Sequence, residues 1–356
     1  MLGFGDLRRK CGAMSSYKQA GVDIDAGEAA VDRIKSHVAR TERPGVAGSI
    51  GGFGGLFNLA AAGHEGSMLV SATDGVGTKS LVATMTGDYS TIGIDLVAMC
   101  VDDLVCQGAE SLFFLDYISV GKVIPEQMEE LVSGVADGCQ QAGCALVGGE
   151  MAEHPGMMKP GEFDLVGFAV GAVASSSVIT GSRVEVGDAV VGIHSPNLRS
   201  NGFSLARMLM FETAGRSVDD PAWDGAAVSV GDALLEPSVI YTPAVLAVAA
   251  AFDVRAVAHI TGGGLPGNLN RVLPQSADAA IDTSAWGVPP IFTELQRIGN
   301  VELAEMFRTF NMGVGMTLVV PPAEVDGVCD LLLEHGHPAV QIGEITSGTG
   351  AVQLGV

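Results

Sequence analysis

The chain has 356 residues, 47% of them apolar and 17% charged, which suffices for two domains with separate cores and excludes disorder as its main state. Its formal net charge of −22 excludes non-specific nucleic-acid binding, which needs a basic surface, but leaves room for a small anionic substrate held by a few local cations and backbone N–H groups. Six cysteines without metal-type spacing, and no apolar run fit to span a bilayer, suggest a reduced, cytosolic protein with no membrane contact.

The first residues, MLGFGDLRRKCGAM, are basic but lack a following apolar segment, so they do not read as a signal peptide. Residues 1–15 read as a disordered extension, with Met14 an alternative start. From residue 16 to 173, strand-like and helix-like segments alternate, giving a first domain. Met68–Thr73 reads as a strand ending at the turn Asp74-Gly75. Thr91–Gly108 is apolar nearly all round, hence a buried helix, and Leu112–Ile118 is a strand. Pro125–Ala142 is an amphipathic helix with Met128, Leu131, Val132 and Val135 on one stripe and Gly143 as its stop. Ala145–Val147 is a short buried strand running into Gly148-Gly149-Glu150. The serine-rich stretch Val173–Gly181 is the expected junction to a second domain over 174–356. There VEVGDAVVGI, from Val184, predicts strand–turn–strand, Phe203–Ala214 a helix, Gly315–Val320 a strand and Ala323–His335 a final helix, with a long apolar stretch at Thr242–Phe252. The class is α/β with mixed sheets.

Asp74-Gly75-Val76-Gly77-Thr78-Lys79 follows a strand and joins flexible backbone donors to a carboxylate and a cation. Lys79 could meet a phosphate and Asp74 a magnesium ion, although the spacing is not that of a Walker A loop and a plain turn fits equally. In the following helix Asp95 and Asp102 lie seven residues apart, on one face, and Asp103 about 100° round. These acids either sit at a solvated edge or hold a hard cation together with Asp74. Asp116 and Glu150 are further acids at strand ends. In the second half Ser200-Asn201-Gly202 precedes a helix, where a cap and an anion site are both possible. Thr261-Gly262-Gly263-Gly264 allows close approach of a ligand or of another backbone. His259 reads as a core histidine.

Taken in order, SYKQAGVDIDAG, GGFGGLF, DGVGTK, TIGIDLVAMCVDDLVCQGAE, LFFLDY, LVGGEMAEHPGM, SNGFSLAR, HITGGG and RTFNMGVGM resemble the phosphoribosylformylglycinamidine cyclo-ligase family, also called AIR synthetase, over nearly the whole chain. Parts of the set recur in selenophosphate synthetase, thiamine-phosphate kinase and formylglycinamidine ribonucleotide synthetase. The resemblance implies a two-domain AIR synthetase-like fold, with N-terminal sheets that pair into a barrel-like interface of a homodimer beside a C-terminal α/β domain. It also implies ATP-dependent, magnesium-dependent closure of formylglycinamidine ribonucleotide to aminoimidazole ribonucleotide in purine biosynthesis. By position Asp74 and Asp103 would be magnesium-linked, and Lys79 would be the phosphate lysine. The nucleotide side would add Lys35, the glycine loop of Gly51, Gly52, Gly54 and Gly55, then Gly75, Gly77, Thr78, Asp95 and Glu150. The ribonucleotide side would comprise Arg199, Ser200, Asn201, Gly202, Thr261, Gly262, Gly263 and Gly264. Two positions depart from the family pattern: Asp102 stands where Asn is usual, and Arg199 where His is usual. A permanent cation at 199 is expected to anchor phosphate. The rivals are another ATP-using member of the superfamily and a non-catalytic nucleotide-binding scaffold.

Overall fold

The computed structural model describes residues 23–47 and 55–355. Most of SYKQAGVDIDAG, and Gly51, Gly52 and Gly54 of the glycine loop, therefore lie outside the described residues. Helix α1 (Ile24–Ala39) is capped by the Asp23 side chain, which accepts from the Ala26 N–H, and a two-residue ladder joins β1 (Val46–Ala47) to β2 (Leu56–Phe57).

The first sheet is built from β3 (Met68–Gly75), β4 (Glu110–Val120), β5 (Ala145–Glu153) and β6 (Phe163–Val173), in the order β3-β6-β4-β5. Only β4 and β5 run parallel, joined by the crossover helix α4 (Pro125–Ala142), which starts on its proline and stops at Gly143 in the left-handed conformation. Helices α2 (Lys79–Thr86) and α3 (Ile92–Val105) connect β3 to β4. The expected strands are present but longer: β3 runs through Asp74 and Gly75, and β5 continues through Gly148-Gly149-Glu150 to Glu153. Pairing explains both extensions, since Asp74 and Gly75 oppose Gly167 and Val166, and Gly149 opposes Asp116.

A 3₁₀ turn at Ser175–Ser177 leads into a six-stranded sheet of β7 (Ala189–His194), β8 (Ala256–His259), β9 (Ala277–Asp282), β10 (Val314–Val320), β11 (Ala339–Ser347) and β12 (Val352–Gly355). Its order is β12-β9-β11-β7-β10-β8, antiparallel except for β12 on β9. The expected strand–turn–strand at VEVGDAVVGI holds a single strand: Asp188 accepts from the Glu185 N–H and Gly187 takes a positive φ, so residues 184–188 form a turn. Every residue of β10 is buried, because both faces of the sheet are covered. One face packs on α7 (Thr242–Ala251) and α11 (Val325–Glu334), through Val245, Val248, Leu318 and Leu332. On the other side α8 (Gly264–Leu269) packs on β8 and β12, and α10 (Leu303–Thr309) packs on α8; α9 (Pro290–Gly299) meets the π-helix into which α5 (Phe203–Arg207) widens, and α6 (Val230–Leu235) packs on α2 of the first domain.

Helix α3 positions the site. Twelve of its fourteen residues are buried, including Asp95 and Asp102. It lies against the first sheet and α4 on one side and against α7 and β8 of the second domain on the other.

Candidate active site

β3 delivers Asp74 to the end of the sheet, where its Oδ1 accepts the Gly75 N–H at 2.7 Å. Burial raises the Asp74 carboxyl above the usual carboxylate range, the Gly75 bond opposes this, and the nearby negative charge of Asp103 pushes in the same direction as burial. Gly77 follows with φ +56° and open space where a Cβ would stand, which leaves the loop free for close approach by a ligand. Thr78 then reaches the second domain, its hydroxyl 3.2 Å from that of Ser204.

Asp103 stands on α3 beside β8 of the second domain, with its side chain 47% exposed. His259, at the end of β8, donates from Nδ1 to Asp103 Oδ1 at 2.8 Å, while its buried Nε2 has no partner. His259 is buried, as a core histidine would be, and it also contacts a candidate metal carboxylate. Its position two residues before TGGG was the available signal. Asp74 and Asp103 offer hard oxygen donors, and a cation between them would relieve their repulsion. No cluster of three or more His, Cys, Asp or Glu side chains arranged for a metal occurs among the described residues. This donor set suits an ion such as magnesium that takes its remaining ligands from phosphate and water.

The Thr261–Gly264 turn follows His259. Asn268 pins it, with Nδ2 near the carbonyls of Thr261, Gly262 and Gly264, the last at 2.8 Å. Gly264 is required by another backbone, because a Cβ there would strike the Phe307 carbonyl. Gly262 faces the Asn201 side chain. Across from it, Ser200 Oγ and Asn201 Oδ1 are buried without partners, as is Nε of Arg207 on α5. Unsatisfied buried polar atoms are costly, and a polar ligand there would satisfy them.

Lys79, Asp95 and Arg199, expected as ligand residues, make buried ion pairs instead. Lys79 is fully buried: its ammonium sits 2.7 Å from Asp95 Oδ2 and donates to the carbonyls of Arg199 and Glu236 at 3.1 and 3.0 Å. Asp95 is equally buried, its other oxygen accepting from the Ser238 N–H and hydroxyl. Burial pulls the Lys79 ammonium down and pushes the Asp95 carboxyl up in pKa, while their contact opposes both shifts. Arg199 points into a contact with Asp102 at 2.7 Å. The physical reason is shared: α3 is sandwiched between domains, so its inward carboxylates must be paired, and these are the cations within reach. Lys35 lies on the exposed side of α1, paired with Asp32 at 2.5 Å. Glu150 borders a hollow of about 540 Å³ beside α1 that it shares with Asp23, Glu28, Asp32 and Glu153. Gly55 packs on Val147.

Residues 55–173 match the family model of the AIR synthase related protein N-terminal domain, and residues 185–355 match that of its C-terminal domain. A phosphoribosylformylglycinamidine cyclo-ligase of Geobacillus kaustophilus is 50% identical over 335 residues, covering 94% of this chain and 96% of its own. Proteins of the same name from Bifidobacterium animalis subsp. lactis and Trichlorobacter lovleyi are 50% and 49% identical, over 93% and 94% of this chain and 96% and 95% of theirs. Among solved structures, thiamine-monophosphate kinase from Stenotrophomonas maltophilia superposes with a TM-score of 0.65 at 18% identity, over 92% of this chain and 95% of its own. Hydrogenase maturation protein HypE in complex with ATP gives 0.65 at 17% identity, over 91% and 90%. At these identities the structures speak for the fold alone, whereas the family models and the near-full-length relatives show that the chain belongs to the phosphoribosylformylglycinamidine cyclo-ligase family of AIR synthase related proteins.

Proposed function

We infer that the chain closes the imidazole ring of aminoimidazole ribonucleotide from formylglycinamidine ribonucleotide in purine biosynthesis, consuming ATP and releasing ADP and phosphate. The observation that carries this reading is the 50% identity to named cyclo-ligases over nearly the full length of both chains. ATP supplies the phosphoryl group that makes the formamide oxygen a leaving group. ATP is bound in the HypE neighbour, and AMPPCP in a structure of PurL from T. maritima with a TM-score of 0.53, 13% identical over 91% of this chain and 47% of that one.

Magnesium fits Asp74 and Asp103, where it would offset phosphate charge. Around it, the open turn at Gly77 would let phosphate oxygens approach the main chain, and His259 holds the Asp103 carboxylate in place. Ser200, Asn201 and the Thr261–Gly264 turn orient the ribonucleotide from the second domain. The ring-closing attack is intramolecular, so orientation of the ribonucleotide supplies much of the rate, with effective molarities that can reach about 10⁵ M. Lys79 acts behind this cradle: it ties the loop's C-terminal end to the 199 and 236 carbonyls and thereby sets the spacing of the two domains.

The domain division at 173/174 is kept in this reading, and so is a homodimer. Support for the dimer comes from the first sheet: α3 and α4 cover one face, while the other carries Leu69, Tyr117 and Phe168, which are 58%, 39% and 42% exposed. No helix among the described residues is long and apolar enough to cross a membrane, which agrees with a cytoplasmic enzyme. The test is an assay with purified protein, MgATP and formylglycinamidine ribonucleotide that follows ADP and aminoimidazole ribonucleotide together. Equal formation of both, abolished by EDTA, is expected; ADP without the aminoimidazole would overturn the reading.

A further inference from the structure

Two fully buried, oppositely charged side chains, which the proposed chemistry does not use, touch each other between the two domains. Arg199 Nη2 donates to Asp102 Oδ2 at 2.7 Å across the domain boundary, with side-chain exposures of 1% and 0%. We propose that Asp102 and Arg199 are a coupled positioning pair that sets the backbone of the 199–202 loop and, through it, the ribonucleotide side of the cleft. This rests on the assignment of that loop to the ribonucleotide.

The geometry around the pair supports a positioning role. Asp102 Oδ1 accepts from the backbone N–H groups of Tyr241 and Thr242 and from the Thr242 hydroxyl, all at 3.0–3.1 Å. Its carboxylate is thus fixed to the start of α7, and Arg199 is attached to something that cannot swing. The guanidinium also donates to the Val239 carbonyl at 2.8 Å and lies 4.8 Å from the Tyr241 ring centroid. Burial acts to lower the Arg199 pKa, but Asp102 and Tyr241 together raise it above its ordinary value.

Residue 199 itself takes φ +61°, a left-handed conformation that a non-glycine residue adopts only when held. It is held on its side chain by Asp102 and Val239, at its N–H by Asn197 Oδ1 at 2.9 Å, and at its carbonyl by Lys79. The next two residues present Ser200 Oγ and Asn201 Oδ1, buried and without partners. A relaxation of residue 199 would re-aim those two atoms first. A phosphorylated ribose is the class of ligand they would fail to meet, whereas the Asp74–Thr78 loop that faces the nucleotide lies on the first domain.

The experiment is a double-mutant cycle on the full chain: wild type, Asp102→Asn, Arg199→His and the double variant. Histidine tolerates positive φ better than most residues, and an Asn–His pair can still hydrogen-bond. Unfolding midpoint, kcat and separate KM values for the ribonucleotide and for ATP are measured. Each single variant should raise the ribonucleotide KM about tenfold or more with ATP KM changed less than about twofold, and the double variant should return to within about threefold of wild type. Additive effects, or equal rises in both KM values, would overturn the proposal. Should a single variant fail to fold, the double decides: folded with near-normal ribonucleotide KM upholds it, and unfolded sinks it. A wild-type protein that forms no aminoimidazole ribonucleotide overturns the functional assignment itself, which is a different failure from additivity with normal turnover.

Discussion

Lys79 illustrates how a residue's neighbours decide its role. At the end of a glycine-containing turn its ammonium has two possible destinations, an anion in the cleft or a carboxylate in the interior, and in this structure it lies 2.7 Å from Asp95. Removing one partner of a fully buried pair leaves the other charge uncompensated. Lys79→Met should therefore cost about 3–5 kcal/mol in urea unfolding, and adding Asp95→Leu should recover part of it. A phosphate-binding lysine would behave differently: the unfolding midpoint would hold while ATP KM rose. Asp116 is a second residue whose surroundings make a measurable prediction. Buried in β4 beside Gly149, it has a carboxyl pKa pushed up to about 7 by desolvation. The native state thus keeps a proton that the unfolded chain releases near pH 4, so stability falls as pH rises and the favourable contribution is gone above the native pKa. Asp116→Asn removes this dependence. Relative to wild type, the variant should gain about 1.4 kcal/mol for each pH unit between 5 and 7, read by denaturation at several pH values. A constant difference across that range would show that Asp116 stays ionised.

At the level of elements, the crossing of α3 and α4 depends on glycines. A Cβ on Gly93 would strike the backbone at Gly134 and Val135, and one on Gly134 would strike the Ser90 carbonyl. Main chain cannot yield as a side-chain tip can, so Gly93→Ala should destabilise by about 2 kcal/mol or more. Gly143→Ala is the contrast. It stands at a left-handed helix end with open space around the missing Cβ, and only the conformational cost of about 1 kcal/mol applies. Thermal melts of the two variants would rank them, and a smaller loss at Gly93 would refute the packing argument. The helices themselves were legible in sequence because their apolar periodicity and stop signals are local: Pro125 and Gly143 bound α4 as they predict. The strands were recognised but cut short at Asp74 and Val147, since what prolongs them is pairing with Gly167 and Asp116 on distant segments. The motifs of the candidate site were legible too, as strings of residues. What they could not convey was direction. Whether Lys79 or Arg199 faces ligand or carboxylate depends on residues 95 and 102 arriving from another element, and whether Gly264 clears a ligand or the Phe307 carbonyl depends on α10.

On the scale of the molecule, two sheets meet different surroundings. The second is covered on both faces by helices of its own domain, but among the described residues the first has helices on one side only. Its other face is formed by outward residues of β3, β6 and β4 in register, with Thr73, Phe168 and Leu115 side by side and Val166 beside Tyr117. A contiguous apolar sheet face of this kind is usually buried against something, and a second copy is the economical partner because a two-fold contact uses the same patch twice. Each substitution in such an interface is then felt twice. Losing one large side chain costs about 1.5–3 kcal/mol per copy, so Phe168→Glu should weaken the dimer by about 100-fold or more. Phe168 points away from the core, so the monomer should keep its fold. Leu333→Glu, at an exposed position of α11 (59% accessible), is the control and should leave assembly unchanged. Sedimentation velocity over a concentration series reads both variants directly. A wild type that sediments as a monomer at micromolar concentration, or a Phe168→Glu variant that remains dimeric, would place the partner of this face elsewhere.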